Sequence, residues 1–155
     1  MHADAALEQF WSECRAVVPG LPEAAPEAWA FGATAEHADG LLALMLAGTK
    51  TATASSLWDY EHTGEPLPEV GWLSIVLDGG GAPRALIETT AVEVVPFDRV
   101  SAAHAFAEGE GDRTLEYWRE VHERYWRRYS DSPRGFEPDM PVVCEAFRVL
   151  HAATP

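Results

Sequence analysis

The sequence predicts an α+β fold: a small β-barrel of about five or six strands, with helices segregated around it. Three observations carry this. Residues 4–18 show an apolar stripe at helical spacing, and Thr114–Tyr129 shows another. Between them, Val70–Leu77 and Arg84–Val95 read as two strands joined by Asp78-Gly79-Gly80-Gly81, a β-hairpin. The chain of 155 residues has no composition break that would divide it, so it suits one domain with a sizeable core.

Taken in order, Leu7, Phe10, Trp11, Cys14, Val17 and Val18 form the first amphipathic helix, ended by Pro19-Gly20. Pro22 to Pro26 is a turn-rich connector, and Ala28-Trp29-Ala30-Phe31 a short strand. Thr34 is placed to cap a helix running through Ala47, with Glu36 near its positive end. Gly48 suits the left-handed position that ends a helix, and the stretch from Gly48 to Ser55 then reads as an alternating strand. Ser55 and Ser56 are placed to cap a short helical turn over Leu57–Glu61, before a loop marked by Gly64, Pro66 and Pro68. The glycines of the Asp78–Gly81 turn join two strands and lack a following Lys-Ser/Thr, so they are no phosphate loop. Ser101 to Ala107 is helical, followed by the acidic run Glu108-Gly109-Glu110-Gly111-Asp112. On the helix Thr114–Tyr129 the stripe is Leu115, Trp118, His122, Tyr125 and Tyr129, and Glu116–Arg119, Glu120–Arg124 and Glu123–Arg127 are spaced to pair. Pro133–Pro141 is a loop and Val142–Val149 the last strand.

Composition narrows the function classes. The net charge of −14 opposes non-specific adsorption to phosphate backbones, while leaving room for nucleic acid if arginines gather on one face, and for a small nucleotide-derived substrate. No basic patch precedes an apolar core at the N-terminus, and no apolar run approaches a membrane span, so no membrane partner and a cytoplasmic location are expected. Cys14 and Cys144 are too few for a disulfide framework and read as buried thiols. The six histidines show no ligand spacing, so neither metal nor cofactor is expected.

Lys50 stands out. It is the only lysine in the chain; the ten other basic residues are arginines. A lysine can be desolvated into a base or nucleophile, whereas an arginine effectively cannot lose its proton. The plain alternative is a chance surface lysine in an arginine-biased chain. Arg113, Arg119, Arg124, Arg127, Arg128 and Arg134, interleaved with Tyr117, Trp118, Tyr125, Trp126 and Tyr129, make one basic, aromatic segment suited to single-stranded RNA. Three of these arginines have glutamates spaced to neutralise them. Trp58 and Tyr60 could stack on a base, or Trp58 could pack in the core. His122, on the apolar stripe, reads as a hydrogen-bonded core histidine.

Gly48, Lys50 and Thr53 also match the core signature of a known family, a Gly-x-Lys-x-x-Thr/Glu-x-Arg-like run entering a strand after a helix. Thr51–Trp58, Glu108–Asp112, Tyr117-Trp118-Arg119 with His122, and Asp139–Glu145 are similar to later segments of its longer bacterial members. Over residues 29–150 the chain thus resembles the ASCH domain family, a PUA-like β-barrel group. The resemblance implies a division into an N-terminal helix and connector (1–27) and an ASCH domain (28–151) within a single globular unit. It implies two activities: in longer members, RNA binding with metal-independent cleavage of single-stranded RNA; in very small ones, amide hydrolysis of N4-acetylcytidine and related acylated cytidines by a Lys, a Thr and a Glu. Carried over, these are Lys50, Thr53 and Glu110, with Glu108 behind it. Ser55 stands where the signature has its final Arg, so whatever that Arg holds would fall to an Arg elsewhere. Expected substrate-binding residues are Trp58, Tyr60, Ser55, Arg84, Arg127 and Arg128. RNA cleavage is the first expectation, the amidohydrolase the second and a non-catalytic RNA-binding regulatory module the third, since fold does not fix function. The partner expected is thus RNA or a nucleoside-derived small molecule.

Overall fold

The computed structural model describes residues 2–153. In chain order it runs α1 (His2–Val17), β1 (Ala28–Ala30), α2 (Ala35–Leu46), β2 (Ala52–Ser56), α3 (Leu57–Thr63), β3 (Leu73–Leu77), β4 (Pro83–Pro96), a 3-10 turn at Phe97–Arg99, α4 (Ala102–Glu108), α5 (Leu115–Tyr129) and β5 (Pro141–Ala152). The five strands form one sheet, in the order β1-β3-β4-β5-β2, which curls into a PUA-like half-barrel with the helices around it. The α+β expectation holds. Register shifts interrupt the β4–β5 ladder between Leu86 and Ile87 and between Thr89 and Ala91. Such irregularities bend a strand and steepen its twist, which lets strands of 14 and 12 residues wrap instead of running flat.

Side-chain alternation divides the core. Ile75 and Leu86, opposite each other on β3 and β4, face α1 and pack on Phe10, Trp11 and Cys14. Their neighbours Val76, Ala85 and Ile87 face the other way, onto Leu41, Leu42 and Met45 of α2 and onto Phe31 and Phe147. A third cluster gathers Trp58, Phe97, Trp118, Trp126 and Met140 under α3 and α5. Both cysteines are free and buried; burial pushes the Cys14 thiol up to about 11 and Cys144 up to about 12.

Several expectations shift once the chain is folded. Thr34, Ser101 and Thr114 each cap a helix through the side chain. Ser56 occupies the cap position of α3 without capping it, because its hydroxyl turns to Met140 Sδ instead. That helix runs on to Thr63, where Gly64 ends it. β3 starts at Leu73, not Val70, because the chain turns at Gly71 (φ +93°), with Trp72 N–H on Glu69 O. On α5 the buried face is Trp118, His122 and Trp126, while Tyr129 is exposed. Of the expected pairs on that helix, Glu120–Arg124 and Glu123–Arg127 form, but Arg119 bonds Asp98 O instead of Glu116.

Candidate active site

Gly48 sets the geometry. It sits at φ +83° just past α2, with Gly48 N–H on Met45 O and Thr49 N–H on Leu44 O, a paired closure that satisfies the last carbonyls of the helix. Lys50 N–H also reaches Leu44 O, so the chain is not yet extended there and β2 begins only at Ala52. The Lys50 side chain escapes the strand's alternation and curls inward, its Nζ donating to Ala52 O at 2.8 Å. Lys50 and Thr53, which a flat strand would put on opposite faces, thereby line one cavity.

The acidic run is stitched to this segment. Thr51 N–H bonds Ala107 O at 2.7 Å, and Arg113 Nη2 reaches Thr49 O. Gly109 lies so close that a Cβ there would stand 2.7 Å from Thr49 O, and its φ of +77° is one that glycine adopts freely. Glu108, the last residue of α4, is thus driven under Lys50.

Glu108 is 2% exposed and surrounded by donors. Lys50 Nζ lies 3.5 Å from Oε1 and His122 Nε2 3.3 Å from it; His104 Nε2 lies 2.7 Å from Oε2, which also accepts from Trp118 Nε1. Burial alone would raise its pKa, but the charge of His122 and the bonds from His104 and His122, with Lys50 beside them, hold it well below the usual carboxylate range. His122 answers in kind. Burial pushes its imidazole down, yet the Glu108 carboxylate outweighs that and raises it. The ring stacks on Trp118 at 4.2 Å and bonds Trp118 O through Nδ1. A buried charge survives when it is paired and fully hydrogen-bonded, as here.

Glu110 is different. It lines the same cavity, yet its Oε2 is enclosed with no hydrogen-bond partner. The cavity measures about 80 Å³, with Phe31, His37 and Tyr125 among its walls. It shares Phe31, Thr53, Ala54 and Tyr125 with a larger groove of about 450 Å³. Donor atoms of Glu108, Glu110 and His122 lie within 4.8 Å of one another, an arrangement that sequence spacing did not reveal. Among the described residues it is the set that could hold a metal ion, but Lys50 already faces Glu108, and a divalent cation there would sit beside an ammonium.

The structure therefore brings Lys50, Thr53, Glu108 and Glu110 together. Ser55 and Tyr60 line the adjoining groove. Trp58 is buried in the third core cluster, its ring covered by the Arg134 guanidinium at 3.7 Å. Arg84 pairs with Asp78 at the β3–β4 turn, Arg127 with Glu123, and Arg128 lies over Tyr129; none of the three lines the cavity or the groove. Sequence reasoning missed His104 and assigned His122 to the core. The available signal was spacing: His104–Glu108 and Trp118–His122 are both i, i+4 pairs, each on one helix face.

Fold and site define a PUA-like domain with a lysine-centred pocket. The chain belongs to the ASCH domain family, whose model matches residues 27–151. Among solved structures it is similar to protein EF3133 from Enterococcus faecalis V583, at 38% identity and a TM-score of 0.86, covering 96% of this chain and 90% of that one. It is also similar to an ASCH domain from Lactobacillus crispatus JV V101, at 30% identity and a TM-score of 0.80, covering 97% and 94%. No curated protein matches it. Among the described residues, no helix is long and apolar enough to cross a membrane.

Proposed function

We propose that this pocket hydrolyses the amide of a small acylated nucleobase of the N4-acylcytidine type. The observation that carries the reading is Glu110: an enclosed carboxylate oxygen without a partner, beside a buried lysine, in a cavity of about 80 Å³. A carboxylate oxygen so placed is open to bond a water or a substrate in the cavity. Glu108, bonded on both oxygens, anchors Lys50 and the two imidazoles instead.

In the reaction, Glu110 takes a proton from a water held by the Thr53 hydroxyl. The water oxygen bonds to the acyl carbon, and the carbonyl electrons move onto its oxygen. An ammonium has three N–H donors; Lys50 gives one to Ala52 O and faces Glu108 as an ion pair at 3.5 Å, which leaves a donor for the developing oxyanion. Collapse breaks the C–N bond while Glu110 returns its proton to the leaving nitrogen, giving a carboxylic acid and cytidine.

RNA cleavage, the first expectation from sequence, has weaker support. The cavity is small, and neither it nor the groove is lined by an arginine. The deciding experiment incubates the protein in excess chelator with N4-acetylcytidine and, separately, with single-stranded RNA, and follows products by chromatography. Cytidine is expected from the first and intact RNA from the second, with Glu110→Gln slowing release by about a hundredfold or more. Cleaved RNA without cytidine release, a fully active Glu110→Gln variant, or activity lost to chelator and restored by a divalent cation would each refute the reading.

A further inference from the structure

The groove beside the pocket has a composition of its own. Three carboxylates line it: Glu27 just before β1, Glu65 in the loop after α3, and Glu145 on β5. Five aromatic side chains line it with them: Trp29, Tyr60 and Trp72, and Phe31 and Tyr125 on the side shared with the cavity. No lysine, arginine or histidine lines it, and among the described residues none of the three carboxylates is in a salt bridge. Uncompensated acids are ordinary on the outer surface of so acidic a chain. Here they converge in a concavity: burial pushes the Tyr60 phenol up, and Glu145, Glu65 and Glu27 all push it further in the same direction.

Two of these side chains are fixed in place. Thr89, 2% exposed beside the β4–β5 register shift, donates to Glu145 Oε2 at 2.6 Å. Glu145 itself lines the groove, and among the described residues its side chain makes one hydrogen bond, this one, through Oε2. The Trp72 indole is held by Glu69 at 3.1 Å. Aromatic faces and carboxylates around one hollow are the chemistry that recognises an organic cation: the ring quadrupoles and the anions attract the same charge, while the rings cover its alkyl groups.

From this juxtaposition we propose that the groove is a subsite for an alkylammonium group, so that the substrate cut at Lys50 carries a positive charge on the part lying outside the cavity. The inference rests on amide cleavage at Lys50 only for the identity of the substrate; the cation site stands on the groove alone.

The test titrates the full chain with choline and with its neutral isostere 3,3-dimethyl-1-butanol, following tryptophan fluorescence, since Trp29 and Trp72 line the groove. Choline is expected to change the signal saturably, with the isostere at least about tenfold weaker. Glu65→Gln, in an exposed loop where folding is not at stake, should weaken choline alone, and Glu145→Gln should do so more strongly. Equal response to choline and isostere would mean that the groove selects shape and not charge, and would overturn the proposal. So would no saturable response, or unchanged choline binding in both variants. Choline binding by a protein that leaves N4-acetylcytidine intact sustains the cation site and counts against the amidohydrolase alone. Cytidine release without choline preference does the reverse.

Discussion

Glu108→Gln keeps the size and shape of the side chain, removes its charge and turns one acceptor into a donor. All four partners of Glu108 present donors to it: Lys50 Nζ and His122 Nε2 on one oxygen, His104 Nε2 and Trp118 Nε1 on the other. A glutamine offers one acceptor and one NH₂, so in either orientation one pair of donors meets a donor. It also leaves Lys50, 2% exposed, without its carboxylate. Removing one partner of a buried ion pair costs about 3–5 kcal/mol, which in a chain of this length lowers Tm by about 10 °C. Urea and thermal denaturation followed by circular dichroism at neutral pH measure both. The pH profile adds a second readout. Glu108 has a folded pKa below its ordinary 4.5, so its contribution is present above that value and is lost as pH falls through the lowered one. His122 has a folded pKa above its ordinary 6.5, so its contribution is complete below 6.5 and is lost as pH rises through the raised value. The variant should lose the acid limb contributed by Glu108, and its alkaline limb should flatten, because Glu108 is the main group raising His122. A loss of less than about 1 kcal/mol, the range of an exposed pair, with an unchanged pH profile, would refute the account of this cluster.

Three more outcomes follow from the geometry. Lys50→Arg keeps the charge, but the side chain is 1% exposed and a planar fork cannot repeat the contacts of a single ammonium to Ala52 O and Glu108 without filling the cavity beside them; activity on N4-acetylcytidine should fall nearly as far as in Lys50→Ala, and near-normal turnover would show that charge alone suffices. Gly109→Ala should lower stability by more than about 1 kcal/mol in urea denaturation, because φ is +77° and the new methyl meets Thr49 O; an unaltered midpoint would mean that the acidic loop is not held as described. Arg127→Gln with Arg128→Gln should leave the salt dependence of any RNA binding unchanged, since Arg127 is engaged by Glu123 and Arg128 by Tyr129; a log–log slope that drops by about two would make α5 a phosphate-binding surface.

The sequence made the fold legible because each element carries its own signal: the helix stripes, the cap at Thr34 and the β3–β4 glycine turn all act locally. Lys50 was legible for a chemical reason, as the single amine among guanidinium groups. What stayed hidden depends on tertiary placement. Nothing local says that Lys50 leaves the strand's alternation, which comes from three hydrogen bonds, two of them converging on Leu44 O, at the end of α2. Trp58 and Tyr60 lie two residues apart, yet burial under Arg134 sends one to the core and leaves the other in the groove. His122 looked like a core residue because it is one by burial; its role is set by Glu108, which arrives from another helix. The metal-capable trio of Glu108, Glu110 and His122 was invisible for the same reason, as its members come from α4, the loop after it and α5.

The net charge of −14 does not by itself choose between a nucleic acid and a small substrate; the placement of the cations does. Arg84, Arg124, Arg127 and Arg148 each face a carboxylate, and Arg113 and Arg119 are turned onto backbone carbonyls. Lys50 is spent inside the fold on Glu108 and Ala52 O. RNA gains its affinity by exchanging condensed counterions for protein cations, and cations paired with carboxylates have less to exchange, whereas Arg128 and Arg134, set over Tyr129 and Trp58, keep their charge available. A strand reaching Thr53 through the groove would also bring its phosphates against Glu65 and Glu145. An uncharged nucleobase amide meets neither obstacle, and a cationic one is drawn along the same path that repels the polymer. On the proposed reading, the acidity that weighs against RNA gives this groove a preference for substrates of the opposite charge.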